Sequence, residues 1–235
     1  MTTLNILSGG AAQGLVGSLA SAFKAQTDFE ITGEFGAVGV MADKLRKGTP
    51  ADIVILTAAL VAKLAEEKLV VAASVAEVGL VETALAVRTG DPQAAVRDAA
   101  DLREALLSSD AIFVPDTKAS TAGIHVANVL DRLGIADKIA ARLKIFPNGA
   151  TAMRELAASE ARRPIGCTQS TEIISTKGVT LSGSLPPGCE LATMYSAGIT
   201  AAAAHLQQAQ DLIVLLIGAA QHEQRKRAGF INGRG

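Results

Sequence analysis

The sequence predicts an α/β protein of two Rossmann-like lobes, each a mostly parallel sheet with helices packed on it. Two observations predict it. Short apolar runs such as Ile53-Val54-Ile55-Leu56 alternate with longer stretches of helical period, which is the pattern of strands joined by crossover helices. The same order of elements then starts again beyond residue 83. At 235 residues the chain has the length for one large domain or for two of about 100 residues each, and either buries a core.

Leu4 to Leu7 is the first strand, and Ser8-Gly9-Gly10-Ala11 is a turn. Leu15, Leu19 and Phe23 then recur at i, i+4 and i+8, which gives the following helix one apolar face. Phe29 to Phe35 is a second strand ending in the small-residue turn Gly36-Ala37-Val38-Gly39. Met41 and Leu45 carry on a helix that Lys47-Gly48-Thr49-Pro50 stops, and Ala51 to Leu56 is a buried strand. From Thr83 to Arg88 an apolar strand runs to Gly90-Asp91-Pro92, and the charged segment after it is a helix through Leu106. In the second lobe Ala111 to Val114 is a strand and Pro115 to Thr121 a loop. Ala122, Val126, Val129 and Leu133 are the inner face of a helix stopped by Gly134. Ile145-Phe146, a helix opened by Asn148-Gly149-Ala150-Thr151, and Ile165-Gly166-Cys167 continue the pattern. Thr193 to Gly198 is strand-like, and Leu212 to Ala220 belongs to a C-terminal helix that ends in Arg225-Lys226-Arg227.

Composition narrows the function. Lys and Arg number 22 against 23 Asp and Glu, so no global field steers the protein toward nucleic acid or anionic lipid. Aromatic residues make up 3%, with no Trp and a single Tyr, which removes the stacking platforms of single-strand and sugar binders. The most apolar stretch falls short of the roughly 18–20 residues of a membrane span, so no membrane insertion is expected. Cys167 and Cys189 are too few for a disulfide framework and are spaced for neither a zinc nor a redox motif; they read as inert thiols. Walker, Gly-x-Gly-x-x-Gly and Gly-x-Ser-x-Gly motifs are all missing, which argues against nucleotide binding and a serine-hydrolase elbow. No cofactor and no metal site is expected.

Four turns between a strand and a helix are built from glycine and small residues: Ser8-Gly9-Gly10, Gly36-Ala37-Val38-Gly39, Ser120-Thr121-Ala122-Gly123 and Asn148-Gly149-Ala150-Thr151. A helix start presents unpaired N–H groups and the positive end of the helix dipole, and small side chains let an anion come close. In open α/β sheets ligands bind beyond the carboxyl ends of the strands, where these turns lie. Any one of them is explained by ordinary capping. Two in each half point to a shared anion site.

Ile6-Leu7-Ser8-Gly9-Gly10, Gly48-Thr49-Pro50-Ala51-Asp52-Ile53-Val54-Ile55, Val129-Leu130-Asp131-Arg132-Leu133-Gly134-Ile135 and the closing Ala228-Gly229-Phe230 together resemble the molybdate-binding protein family, of the type 2 periplasmic substrate-binding superfamily. The resemblance covers about residues 4 to 230, and the Gly-x-Pro-Ala-Asp block is its most specific part. It implies two lobes, residues 1–82 with 198–235 and residues 83–197, joined by crossing strands near 83–88 and 192–197, with the ligand clamped between them. It also implies oxyanion contacts at Ala11, Gly39, Ala122, Thr151 and Tyr195. Ala11 and Gly39 stand where the family carries serines, so both hydroxyls are lost; Ser8 lies three residues before Ala11.

Around its turns the second lobe is rich in polar side chains, a set that suits a di- or tricarboxylate better than molybdate. The ligand-binding candidates are Ser8, Gly9, Gly10, Ala11, Ala37, Val38 and Gly39, with Lys118, Ser120, Thr121, Ala122, Asn148, Thr151, Thr168, Gln169 and Tyr195. Thr121-Ala122-Gly123-Ile124-His125 with Gln169 and Tyr195-Ser196-Ala197-Gly198 also resembles the aconitate-isomerase-like branch of the superfamily. An isomerase of that kind moves a proton along an allylic tricarboxylate, and His125 is the candidate base because its ordinary pKa is near ~6.5. The plainer reading of His125 is a helix-surface or interlobe residue, and of Lys118 a solvated loop lysine.

Two functions stay open: a binding or sensing protein for a small anion, delivering it to an ABC importer if exported, and an isomerase on the same scaffold. Met1-Thr2-Thr3-Leu4 runs straight into a strand with no signal-peptide pattern, so a cytoplasmic protein is expected from the sequence as it stands. A chain trimmed at a mature start reads identically and would be periplasmic.

Overall fold

In the computed structural model, which describes residues 2–231, the chain forms two compact units. One is Met1–Val81 with Thr193–Gly235, and the other is Glu82–Ala192.

The first unit is built from three strand-helix repeats. β1 (Thr3–Gly9) leads through a 3-10 turn (Gly10–Ala12) into α1 (Gln13–Thr27), β2 (Glu30–Gly36) into α2 (Val38–Arg46), and β3 (Ile53–Thr57) into α3 (Ala58–Glu66). β1 lies parallel to both other strands, with Ile6 opposite Gly33 on one side and Ile53 on the other. Leu15, Leu19 and Phe23 of α1 are buried as their spacing predicts, in one core with Leu4 and Ile6 of β1. All five residues of β3 are buried, and the first four, Ile53 to Leu56, are the continuous apolar run of a strand covered on both faces.

The long strand β4 (Ala76–Arg88) carries the chain from the first unit to the second, the boundary falling between Val81 and Glu82. The second unit follows with α4 (Ala99–Ser108), β5 (Ala111–Pro115), α5 (Thr121–Arg132), the short α6 (Ala136–Ile139), β6 (Leu143–Phe146), α7 (Gly149–Ala158), β7 (Pro164–Gln169), α8 (Ser170–Ser175) and β8 (Val179–Ser184). β7, β5 and β6 are parallel neighbours, while β4 runs antiparallel to β7 and β8. The period of two sorts this sheet into two cores. Ile112, Val114 and Leu85 face α4 and α5, and Ala111, Phe113, Ala84 and Ala86 face α7 and α8.

β9 (Ala192–Ile199) carries the chain back, with the boundary between Ala192 and Thr193, and lies antiparallel to β3. The C-terminal run expected as one helix is two, α9 (Leu206–Ile217) and α10 (His222–Arg227). Gly218 is extended and breaks it; Arg225 folds back so that its Nη1 donates to the Leu216 and Gly218 carbonyls at 2.9 and 2.8 Å. Several elements were not anticipated. α3 lacked a recognised stop signal, α6 and α8 are only four and six residues long, and β8, with the sequence VTLSGS, is half-buried and carries little apolar alternation. Among the described residues no helix is long and apolar enough to cross a membrane.

Candidate functional site

Because β1, β2 and β3 are parallel, the 3-10 turn, α2 and α3 all begin at one edge of the first unit's sheet; Gly9 stands beside Gly36, and Ser8 beside Ile55. None of these starts has a side-chain cap: Gly9, Ala37 and Thr57 precede them without a capping hydrogen bond. The donors of the first turns are thus left to other acceptors. Ser8 is fully buried and its hydroxyl is turned inward, toward the Gly9 and Ile55 carbonyls at 2.9 and 3.3 Å. Ala11 is a core residue, and Gly39 is half-buried at the rim.

Tyr195 reaches this edge from β9, where it pairs with Thr57. Its ring is 1% exposed, stands edge-on to Phe230 with centroids 6.5 Å apart, and lies against Gly9. So Gly9, Val38 and Tyr195 are brought together, as a packed cluster around the backbone of the first turn.

The second unit repeats the arrangement. β7, β5 and β6 end at a common edge, with Pro115 beside Phe146, and α5, α7 and α8 begin there. The loop before α5 is shaped by Asp116, whose Oδ1 accepts from the Lys118 and Ala119 N–H groups at 2.7 and 3.0 Å. Gly123 is required where this loop passes, since a Cβ there would stand 2.1 Å from the Asp116 carbonyl oxygen. Ser120 precedes α5 without a side-chain cap, so the starts at Thr121 and Ala122 are open in the same sense as those of the first unit. Lys118 is exposed, and among the described residues its ammonium enters no ion pair.

His125 is one turn into α5 and half-buried. Its Nε2 lies 2.8 Å from the Cys189 carbonyl and donates to it, which leaves Nδ1 as the nitrogen able to accept a proton. Arg132, further along the same helix, donates to the Gly188 carbonyl at 3.0 Å. Together the two side chains tie the segment before β9 to α5.

The start of α7 differs. Asn148 caps it, its Oδ1 accepting from Thr151 N–H at 2.8 Å. The carboxylate of Glu172 accepts from the N–H groups of Gly149, Ala150 and Gln169, and from the Thr168 hydroxyl at 2.6 Å. Burial pushes the Glu172 carboxyl above its ordinary range, against the opposing pull of those hydrogen bonds. Thr168, Gln169, Ser170, Thr171 and Glu172 form an unbroken run of buried polar residues, and Thr171 Oγ1 has no hydrogen-bond partner among the described residues. Sequence reasoning had picked out Thr168 and Gln169 as ligand contacts but not Ser170, Thr171 or Glu172. The available signal was five polar residues directly after the strand-core triplet Ile165-Gly166-Cys167.

The thiols take no part in this chemistry. Both cysteines are buried and unbridged, and burial pushes Cys167 up to about 12, far from a reactive thiolate. Among the described residues no group of three or more His, Cys, Asp or Glu side chains is placed to hold a metal ion.

Known proteins share this plan. The structure is similar to the periplasmic molybdate-binding protein of Azotobacter vinelandii, with a TM-score of 0.80 and 19% identity over 98% of this chain and 100% of that one. It is also similar to a sulfate-binding protein of Mycobacterium tuberculosis, with a TM-score of 0.75 and 18% identity over 98% of this chain and 86% of that one. In sequence it is 24% identical over 227 residues to an aconitate isomerase of a Pseudomonas species, 92% of this chain and 82% of the relative. The family model described as bacterial extracellular solute-binding protein matches residues 4–231, and the chain belongs to that family.

Proposed function

We propose that this solute-binding protein takes a small anion, a di- or tricarboxylate in preference to molybdate, on the open helix starts of its two units, and passes it to an ABC importer or reports its presence. The position of three helix starts carries the reading. Those following Gly9, Ala37 and Ser120 have no side-chain cap and stand at the carboxyl ends of the parallel strands. Uncapped N–H groups at the carboxyl ends of parallel strands are donors held for an anion. The preference for carboxylate follows from the side chains. Ala11 and Gly39 have no hydroxyl to offer a tetrahedral oxyanion, and the inward-facing Ser8 does not replace them. Exposed Lys118 beside the α5 start supplies a cation of the kind a planar carboxylate accepts. Calorimetric titration with cis-aconitate, citrate, molybdate and sulfate tests it. Micromolar binding of a carboxylate, about -8 kcal/mol, is expected. Micromolar molybdate binding with no response to either carboxylate sinks the preference.

A second reading is favoured by the aconitate isomerase relative, which matches 92% of this chain. In it His125 Nδ1 takes the allylic proton and returns it, while the α5 start steadies the charge that develops on a carboxylate. Incubating cis-aconitate with the pure protein in deuterated water separates the two. Appearance of deuterated trans isomer establishes the isomerase, and no turnover leaves the binding protein.

A further inference from the structure

The start of α7 already holds a carboxylate, and it is the chain's own. Glu172 belongs to α8, 23 positions beyond Gly149 and so no local cap, yet it accepts from the first two N–H groups of the ten-residue α7 and from the Thr168 hydroxyl. The fit is close. A Cβ at Gly149 would stand 1.9 Å from Glu172 Oε2 and 2.2 Å from Thr168 Oγ1, so the glycine is what lets the carboxylate reach the helix end. Two consecutive helix N–H groups and a hydroxyl around a buried carboxylate are what an external anion would be offered at such a place.

We propose that Glu172 is a specificity-determining residue: a built-in carboxylate that closes the α7 start to external anions, so that in this unit the α5 start takes the anionic group of the ligand. The proposal rests on the reading of open helix starts as the ligand's donors. It adds that one of the four expected turns serves as a closed strut, and that a ligand group carrying charge toward α7 meets a carboxyl where it would otherwise meet donors.

The test needs no knowledge of the natural ligand, so its failure is distinct from failure of the carboxylate reading. Glu172→Ala removes the built-in group and opens a space of carboxylate size. Thermal unfolding of wild type, Glu172→Ala and Glu172→Asp is followed in sodium formate, sodium acetate and sodium chloride at equal ionic strength. The Ala variant is expected to melt below wild type in chloride and to regain roughly 2–4 °C in formate or acetate, while wild type and Glu172→Asp respond alike to all three salts. Glu172→Ser, whose hydroxyl can still accept one N–H, takes over if the Ala variant does not fold. If neither folds in chloride, recovery of the folded circular-dichroism signal on refolding in formate becomes the readout. An Ala or Ser variant that gains no more from formate than wild type does, or no recovery on refolding, overturns the proposal.

Discussion

Gly9 on β1 and Tyr195 on β9 are in direct contact: a Cβ built at Gly9 would stand 3.0 Å from Tyr195 Cε1 and 2.8 Å from Val38 Cγ1. The ring is fully buried and cannot swing away, and Val38 opens α2, so an added methyl must displace the start of one of the helices at this edge. Gly9→Ala is therefore expected to cost about 1–3 kcal/mol, the usual range for overpacking a close-packed site. Denaturant unfolding should show a lower midpoint with an unchanged slope. Anion affinity should fall with it, since the 3-10 turn after Gly9 is one of the open starts. A variant with wild-type stability and affinity would show that the turn yields without consequence.

His125 joins α5 to the Cys189 carbonyl, and its replacement tests a structural role against a chemical one. His125→Ala is expected to lose about 1 kcal/mol, the net worth of one hydrogen bond, and to speed amide exchange over residues 186–190. In the binding protein its anion affinity stays within about threefold of wild type. Were the protein an isomerase with His125 as base, the same variant would lose at least about 10²-fold in turnover.

Glu172 gives stability a pH dependence of stated sign. Burial holds its carboxyl above the ordinary value of 4.5, so the folded chain keeps this proton to higher pH than the unfolded chain does. The contribution of this group is whole below 4.5 and is lost as pH rises through the folded value. Comparing wild type with Glu172→Gln across that range isolates it. The stability of wild type relative to the Gln variant should decline as pH is raised from about 4.5, and a relative rise would mean that the hydrogen bonds outweigh burial.

The fold was legible where a local period carries it. Leu15, Leu19 and Phe23 announce α1 because a helix buries one face, and Gly134 announces the end of the helix after Val129 because its φ of 63° suits glycine. The open turns at Gly9, Ala37 and Ser120 were legible for the same reason: small residues between a strand and a helix are a local pattern. The closed turn was not. Asn148-Gly149-Ala150-Thr151 looks like the other three; its Asn148 cap is local, but the Glu172 carboxyl that fills the space beside Gly149 lies 23 positions away, a tertiary contact with no periodic trace. Ser8 misleads for a related reason. Sequence places a hydroxyl at the turn, but the side chain alternation of β1 points it at the Ile55 carbonyl.

Asp52 is where the most specific sequence block meets the structure. It is 2% exposed, and its carboxylate accepts three backbone N–H groups, from Asn5 at 2.8 Å on one oxygen and from Ala204 and His205 at 2.8 and 3.0 Å on the other. Asn5 is in β1 and His205 immediately precedes α9, so one side chain ties the central strand of the first unit to the helix packed on α1. Pro50 and Ala51 bring the chain into β3 with the aspartate facing both partners, which gives Gly-Thr-Pro-Ala-Asp a structural reason to read as a unit. Asp52→Ala leaves three N–H groups without their acceptor and is expected to cost about 3 kcal/mol or more. Asp52→Asn keeps one accepting oxygen and turns an amide N–H₂ toward the other donors, so it should recover part of that loss. Because these bonds lie behind the open helix starts, anion affinity measured well below the unfolding midpoint should stay within about twofold in both variants. A tenfold loss of affinity in a variant that is fully folded would move Asp52 from scaffold to site.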